Sequence, residues 1–370
     1  MQVPFVDLRR DTEDVASRMM DAVMEVVQGG RFILGPQVEA FEKEFARFCD
    51  CSLGIGVASG TDALILSLRT LDPEPGSEVI VPANTFIATW DAVSDNGAIP
   101  VPVDPDPEFF TIEGQAAGAA VTDSTIAIIP VHLYGQVAEM KSLEQVSSEE
   151  NIPIIEDSAQ AHGARYNGRR AGSFGWTGCF SFYPSKNLGA LGDGGMVVTS
   201  DAVVERRIRM LRDYGQSRKN EHLEIGFNSR LDEIQAAALR VKLTVLGGNN
   251  EKRAAAAAAY SERLVGVLGV ETPKVRPGST HIYHLFVIRC EERDGLKGHL
   301  QKRGVSTGIH YPVPPHLQPA YSQLGYKRGA FPVTERLVGE ILSLPMFPSI
   351  RTDEIDYVCE SIREFYGSKG

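Results

Sequence analysis

One lysine of the chain is placed where its amine could act as a nucleophile. Lys186 lies in residues 181–187 (SFYPSKN), directly after an apolar run typical of a strand, and glycines follow at positions 189, 192, 194 and 195. A lysine held in a cleft at a strand end loses hydration, which lowers its pKa and frees the amine to attack a carbonyl group. The pattern also fits a lysine on an ordinary surface loop, so other residues must decide between the two interpretations.

A carboxylate follows a second apolar run. Asp157 comes after Ile154 and Ile155, and ligands of open α/β sheets bind beyond the carboxyl ends of the strands. A carboxylate there can keep the pyridine nitrogen of pyridoxal phosphate protonated, so that the ring accepts an electron pair. A strand-end aspartate is also a common helix N-cap. Lys186 and Asp157 together favour a pyridoxal phosphate site over either plainer interpretation.

A third segment could hold a phosphate group. Residues 58–62 (ASGTD) follow a predicted strand and open a predicted helix. Backbone N–H groups at a helix N-terminus bind phosphate, and Gly60 has no side chain to prevent close approach. The same turn could be an ordinary capped helix start.

These segments require a sheet that brings several strand ends to one edge. Short runs that are apolar throughout, separated by helix-compatible segments, indicate a mostly parallel sheet covered on both faces. Such runs occupy residues 53–57, 78–81, 99–103, 126–131, 152–155, 179–182 and 195–199. The last two are close in sequence, which predicts that at least one strand departs from right-handed βαβ winding.

Helical patterns flank the sheet and continue beyond it. They cover residues 11–28, 38–48, 61–71, 229–268, 294–302, 334–342 and 353–365, with further strands at 284–288 and 305–310. Gly247 and Gly248 interrupt the long helical stretch and predict a boundary there. We therefore expect a large domain over residues 1–247 and a smaller α+β domain over residues 248–370.

Composition excludes several classes of protein. The 370 residues are 43% hydrophobic and 23% charged, as in soluble globular proteins, and acidic residues outnumber basic ones by 48 to 37. That balance argues against a nucleic-acid partner. The five cysteines are scattered, which suits reduced thiols and does not suggest a metal site. With no signal peptide and no apolar run that could cross a membrane, we expect a cytoplasmic protein without a membrane partner.

With these motifs in order, the chain resembles the DegT/DnrJ/EryC1/StrS family of pyridoxal-phosphate-dependent nucleotide-sugar aminotransferases. The resemblance covers nearly the whole chain. Its motifs are residues 4–8 (PFVDL), 33–36 (ILGP), 60–64 (GTDAL), 84–89 (NTFIAT), 130–135 (PVHLYG), 156–164 (EDSAQAHGA), 181–187 and 228–237 (NSRLDEIQAA).

The resemblance implies fold type I, the α/β fold of aspartate aminotransferase, in a homodimer whose active sites are shared between subunits. It implies that Lys186 forms the internal aldimine with pyridoxal 5'-phosphate and that Asp157 pairs with the pyridine nitrogen. The other cofactor residues that it implies are Gln160 at the ring hydroxyl, Phe86 stacked on the ring, Gly60, Thr61 and Ser181 at the phosphate, and Asn228 at the phosphate from the partner subunit.

The C-terminal segment 308–321 (GIHYPVPPHLQPAY) is similar to the branch that aminates C3 of dTDP-linked keto-deoxyhexoses. In that branch His310 and Tyr311 would line the sugar pocket; packing of a strand end against the large domain is the plainer alternative. Lys219, assisted by Arg218, would bind the nucleotide diphosphate. Asn220 stands where the branch usually has tyrosine, which questions that contact.

The resemblance therefore implies ping-pong transamination between L-glutamate and a nucleotide-linked keto sugar, in amino-sugar biosynthesis for an antibiotic or a cell-surface glycan. A 4-keto-sugar or UDP-sugar aminotransferase of the same family is the alternative. A sugar dehydratase of the family would have histidine in place of Lys186. A non-catalytic regulatory protein with the same fold is the remaining alternative, and failure to bind the cofactor would support it.

Overall fold

The structure, a computed structural model, describes residues 1–367. The α-helices of this range are α1 (Leu8–Thr12), α2 (Ala16–Gly29), α3 (Pro36–Phe48), α4 (Gly60–Arg69), α5 (Ile87–Asp95), α6 (Gly114–Ala119), α7 (Met140–Glu150), α8 (Ala202–Leu211), α9 (Glu233–Leu243), α10 (Leu246–Leu264), α11 (Arg293–Lys302), α12 (Pro332–Glu340) and α13 (Thr352–Gly367). Short 3-10 helices cover Glu13–Val15, Leu133–Gly135, Pro315–Leu317 and Pro319–Leu324.

The strands of the same range are β1 (Leu53–Val57), β2 (Glu78–Pro82), β3 (Ile99–Val103), β4 (Thr125–Ile128), β5 (Ile155–Asp157), β6 (Arg165–Tyr166), β7 (Arg169–Arg170), β8 (Thr177–Ser181), β9 (Gly195–Thr199), β10 (Gln216–Arg218), β11 (Glu221–His222), β12 (Val270–Glu271), β13 (Ser279–Thr280), β14 (Phe286–Cys290) and β15 (Ile341–Leu344).

Seven strands form a central sheet in the order β1, β9, β8, β5, β4, β2, β3. Parallel bridges from Ile128 to Ile154 and from Val131 to Asp157 join β4 to β5. Among these seven strands, β9 alone is antiparallel to its neighbours. The predicted mixed, mostly parallel sheet is confirmed, and its departure from βαβ winding occurs where the closeness of β8 and β9 predicted it.

The sheet brings the chemically interesting segments to one edge. Because β1, β5 and β8 run in the same direction, Val57, Asp157 and Ser181 end their strands on the same side. Helix α4 starts two residues after β1 and packs on β8 and β9 through buried side chains such as Leu64 and Leu66. The buried face of α4 therefore fixes its N-terminus beside the ends of β5 and β8.

The C-terminal part is built around a small antiparallel sheet in the order β12, β14, β15. Helices α10, α11 and α13 contribute to its core, in which Phe286, Leu300 and Val358 are fully buried. The N-terminal segment joins this core through Val3, which pairs with Val305. A smaller α+β part follows the large sheet as predicted, and the boundary at residue 247 stays a prediction.

Some predicted elements are wrong. Gly247 and Gly248 do not interrupt a helix, because both lie in the first turn of α10. The interruption of the helical stretch lies just before them, between the end of α9 and the start of α10. Both positions are exposed, and a Cβ atom added to either would meet nothing within 4 Å. Residues 305–310 make isolated bridges rather than a strand. The helix predicted to end at residue 342 stops at Glu340, because the buried residues that follow pair with β14.

Within residues 1–367, no helix combines the length and apolar character that crossing a bilayer requires.

Candidate active site

A cavity of about 410 Å³ opens at the carboxyl edge of the central sheet. It brings together nine of the side chains and backbone segments that the sequence singled out. These are Gly60, Thr61, Phe86, Asp157, Gln160, Ser181, Lys186, His310 and Tyr311. Segments that are far apart in sequence thus line one continuous cavity.

Lys186 lies in this cavity on the loop that follows β8. Burial lowers the pKa of its ammonium to about 8, while the negative charge of Asp157 acts in the opposite direction. The loop is tied at its start, where the Lys186 N–H donates to the carbonyl of Tyr183 at 2.8 Å. A lysine in this state keeps a sizeable neutral fraction near neutral pH, so its amine is available as a nucleophile or base.

Asp157 ends β5 and is buried at the bottom of the cavity. The Thr89 hydroxyl donates to its Oδ2 at 2.8 Å, and the Ala159 N–H donates to its Oδ1 at 3.2 Å. Because the Thr89 hydrogen is used for Asp157, the Thr85 hydroxyl must be the donor in its 2.9 Å contact with Thr89. Burial raises the pKa of Asp157, and Thr89, Ala159 and Lys186 act in the opposite direction.

The N-terminus of α4 forms a tight cradle against the end of β8. A Cβ atom at Gly60 would lie 2.6 Å from Cβ of Ser181, so only glycine allows this approach. Ser59 caps the helix by accepting from the Asp62 N–H at 3.0 Å. The N–H groups of the first turn that this cap leaves free, and the dipole of α4, suit an anion such as phosphate.

Gln160 is buried, and its contacts fix the orientation of its amide. Its Oε1 accepts from the Tyr134 N–H at 2.7 Å, so Nε2 is the group that donates to the Tyr311 hydroxyl at 3.1 Å. Tyr134 holds this arrangement with a left-handed backbone (φ 61°), and its hydroxyl donates to the carbonyl of His310. The second Nε2 hydrogen of Gln160 is left for a ligand.

Aromatic side chains form a further part of the cavity lining. Phe86 precedes α5 and is 51% exposed, with its ring centroid 5.2 Å from that of Tyr311. His310 stacks on Phe5, and its Nδ1 lies 2.8 Å from Oγ of Ser343. Burial and the charge of Lys186 lower the pKa of His310 to about 4. His310 is therefore a neutral member of the wall.

The remaining three predicted residues lie outside the cavity of their own chain. Arg218 and Lys219 are exposed on the hairpin formed by β10 and β11, where Arg218 pairs with Glu221. Asn220, in the turn of that hairpin, has φ 65°. Asparagine is one of the residues that adopt this left-handed conformation most readily, which suits it to the turn. Asn228 is exposed beyond the hairpin.

The sequence did not reveal several members of the site. Thr85, Asp193 and His284 line the cavity, Thr89 supports Asp157, and Tyr134 supports Gln160. The motifs 84–89 and 130–135 contain three of these residues, but nothing in the motifs shows which side chains turn inwards. Among the described residues that line the cavity, Lys186 is the single lysine or arginine.

A family model described as the DegT/DnrJ/EryC1/StrS aminotransferase family matches residues 13–363. The chain belongs to this family. It is 46% identical over 364 residues, 98% of this chain and 96% of the relative, to the dTDP-3-amino-3,4,6-trideoxy-alpha-D-glucose transaminase of Streptomyces venezuelae. It is 45% identical, over 98% of this chain and 97% of the relative, to the UDP-N-acetyl-3-dehydro-alpha-D-glucosamine 3-aminotransferase of Acidithiobacillus ferrooxidans.

The fold agrees with this membership. The crystal structure of S. venezuelae DesV in complex with a ketimine intermediate superposes with a TM-score of 0.97 at 46% identity, covering 99% of this chain and 98% of that one. The predicted family, the aminotransferase fold and the enzymatic nature of this chain are confirmed.

Proposed function

We propose that the protein uses pyridoxal 5'-phosphate to transfer an amino group from L-glutamate to a dTDP-linked 3-keto-deoxyhexose. The observation that carries the proposal is the meeting of Lys186, with a pKa lowered to about 8, and the buried Asp157 in one cavity at the sheet edge. An amine and a carboxylate so placed are the two groups that pyridoxal phosphate chemistry requires of a protein.

The residues present fit this cofactor. The cradle that a Cβ at Gly60 would fill suits the phosphate, with Thr61 and Ser181 beside it. Asp157 would face the pyridine nitrogen, and the free hydrogen of Gln160 Nε2 would reach the ring hydroxyl. Phe86, exposed to the cavity, would stack on the ring. Asn228 of the partner subunit would complete the phosphate site.

When bound, pyridoxal phosphate supplies a conjugated ring that accepts the electron pair left on carbon when a proton departs. The protein's own groups do the rest. Asp157 keeps a negative charge beside the ring nitrogen, because Thr89 and Ala159 donate hydrogen bonds to its carboxylate. Lys186 Nζ, neutral in part near neutral pH, takes the proton from the substrate carbon and returns it in the second half-reaction.

The substrate class rests on the relatives. The S. venezuelae relative is a dTDP-sugar 3-transaminase, and the C-terminal segment carrying His310 and Tyr311 forms a wall of this cavity. A UDP-linked 3-keto sugar is the second candidate, because the A. ferrooxidans relative acts on one at nearly the same identity. A substrate assay must therefore compare dTDP-linked with UDP-linked sugars, and it must include 4-keto sugars beside 3-keto sugars.

We also propose that two copies of the chain form a homodimer with shared active sites, and exposed apolar residues support this. Met20, Met24 and Val27 follow a helical spacing on α2 and are 45–60% exposed, and Phe32 and Ile33 are each 44% exposed beyond them. Apolar side chains that line one face of a helix in this way are typical of a protein interface. A partner subunit could also bring the cations of Arg218 and Lys219 to a cavity that lacks arginine.

All five cysteines are free thiols in the structure. This supports a reducing compartment, and we place the reaction in the cytoplasm.

The test is the visible absorbance spectrum of the purified protein with pyridoxal phosphate. We expect a yellow band that L-glutamate removes, and no such band in Lys186→Ala. Lys302→Ala, which removes an exposed lysine of α11, is the matched control and should behave as the parent does. A parent protein without the band, or a band that no amino acid removes, would contradict the proposal.

A further inference from the structure

His284 is a buried histidine of the cavity wall that the mechanism above does not use. It is 8% exposed, and it follows Tyr283, which has a left-handed backbone (φ 47°). Its backbone is fixed from two sides. A Cβ at Gly135 would lie 2.9 Å from the His284 backbone nitrogen, and Arg253 donates to the carbonyl of Tyr283 at 3.1 Å.

The residue next to the active-site lysine fixes the protonation of this histidine. Asn187 Nδ2 lies 2.9 Å from Oδ1 of Asn250 and 3.2 Å from the carbonyl of Ile282. The Ile282 carbonyl is an acceptor only, so this end of the Asn187 amide must be its NH₂ group. The other end, Oδ1, lies 3.2 Å from His284 Nδ1 and can only accept. His284 therefore carries a proton on Nδ1.

The protonation state of the second ring nitrogen, Nε2, follows from that of Nδ1. Burial lowers the pKa of His284 well below its ordinary value, and the charges of Lys186 and Arg253 act in the same direction. The ring is neutral, so with Nδ1 protonated Nε2 holds a lone pair. Within residues 1–367, the one side-chain hydrogen bond of His284 is that of Nδ1 with Asn187, so Nε2 has none. The residue lines the cavity that contains Lys186.

We propose that His284 is a positioning residue that presents the unprotonated Nε2 to the cavity and accepts a hydrogen bond from Nζ of Lys186 when that amine is free. Such an acceptor would aim the lysine at the carbon with which it exchanges protons. The inference rests on the proposed role of Lys186. Besides Lys186, the groups whose charge acts on the ring are Arg253, His162 and His310. The other titratable groups that line the cavity are Asp157, Tyr183, Asp193 and Tyr311.

The tautomer can be measured without any turnover. Nitrogen NMR of protein labelled at its eight histidines distinguishes a protonated from an unprotonated ring nitrogen, and His284→Gln assigns the signal by its loss. We expect His284 to be protonated at Nδ1 and unprotonated at Nε2 from about pH 6 to about pH 8. A proton on Nε2, alone or in an imidazolium, would overturn the inference. Asn187→Leu should remove the acceptor at Nδ1 and produce a mixture of tautomers; a single unchanged tautomer would contradict the control of the His284 proton by Asn187.

The contact with Lys186 is tested by the rate at which cofactor-free protein captures pyridoxal phosphate. His284→Gln keeps an acceptor near the Nε2 position, whereas His284→Leu has none. We expect capture by His284→Gln near the parent rate and capture by His284→Leu about tenfold slower, because the neutral amine of Lys186 loses the hydrogen bond that orients it towards the incoming aldehyde.

One control variant and three outcomes complete the test. His299→Gln changes a histidine of α11 outside the cavity and should leave the rate unchanged. A folded His284→Leu with the parent rate would refute the contact. If His284→Leu does not fold, slow capture by Asn187→Leu is the expected result and parent-like capture overturns the proposal. Absence of any band in the parent would defeat the proposed function, while the NMR result would still decide the tautomer.

Discussion

The hydroxyl of Thr89 offers the most direct test of how the site controls its carboxylate. Asp157 is buried, and its carboxylate receives two hydrogen bonds within the chain, from Thr89 at 2.8 Å and from the Ala159 N–H at 3.2 Å. Thr89→Val keeps the shape of the side chain and removes the shorter of the two. The pKa of Asp157, already raised by burial, must then rise further.

The size of the change follows from the contact. A hydrogen bond to a charged group contributes about 1.5–3 kcal/mol, and one pKa unit corresponds to about 1.36 kcal/mol. Removing the Thr89 hydroxyl should therefore raise the pKa of Asp157 by about one to two units. In the proposed site the ionised carboxylate would hold the ring nitrogen. Cofactor binding should therefore be lost as the pH falls through this pKa, and the loss should begin at a higher pH in the variant.

The assay is the dissociation constant of pyridoxal phosphate measured by absorbance across the acidic range. We expect the acidic limb of binding in Thr89→Val to move about one to two pH units upwards, and Thr89→Ser, which restores a hydroxyl, to return it to the parent position. Thermal unfolding of both variants controls for loss of structure. A folded Thr89→Val whose acidic limb coincides with the parent's would refute this account of Asp157.

Three further predictions concern single groups. Asp157→Asn should leave the fold intact and strongly lower the rate of the glutamate half-reaction, measured by stopped-flow absorbance; a near-normal rate would exclude its electrostatic role. Glu233→Gln should lower the free energy of unfolding by about 2 kcal/mol in urea titrations. The buried Glu233 carboxylate accepts from the N–H groups of Gly35, Gln37 and Val38 at the start of α3, at 2.8–2.9 Å, and the amide keeps one acceptor oxygen. The exposed Glu262→Gln should change little, and equal stabilities would contradict this role of Glu233. Gly60→Ala should weaken phosphate binding in equilibrium dialysis, because its Cβ would meet Ser181, and unchanged affinity would show that the cradle is not the phosphate site.

The sequence predicted the parts of the site that lie within single segments. Asp157 is the last residue of β5 and Lys186 lies on the loop that follows β8, so the strand pattern itself places both at the carboxyl edge of the sheet. Their meeting in one cavity follows from the parallel course of β5 and β8. Local pattern was enough here because position along a strand determines position in the site.

The supporting residues could not be predicted in this way. Thr89 is 68 residues from Asp157 in sequence, and His284 is 97 residues from Asn187. Each pair meets only after helices and loops have packed, so no local pattern records the contact. The left-handed backbone of Asn220 is similar: the sequence marks an unusual residue there, and the turn geometry of the hairpin explains it.

We propose that this cavity moves an amino group onto a nucleotide-linked keto sugar through Lys186. The most direct measurement supplies L-glutamate labelled with heavy nitrogen, pyridoxal phosphate and a panel of dTDP- and UDP-linked keto sugars, and follows the label by mass spectrometry. We predict labelled amino sugar from a dTDP-linked 3-keto-deoxyhexose with the parent and with Lys302→Ala, and none with Lys186→Ala. Absence of label in every sugar with the parent, or transfer that survives in Lys186→Ala, would contradict it.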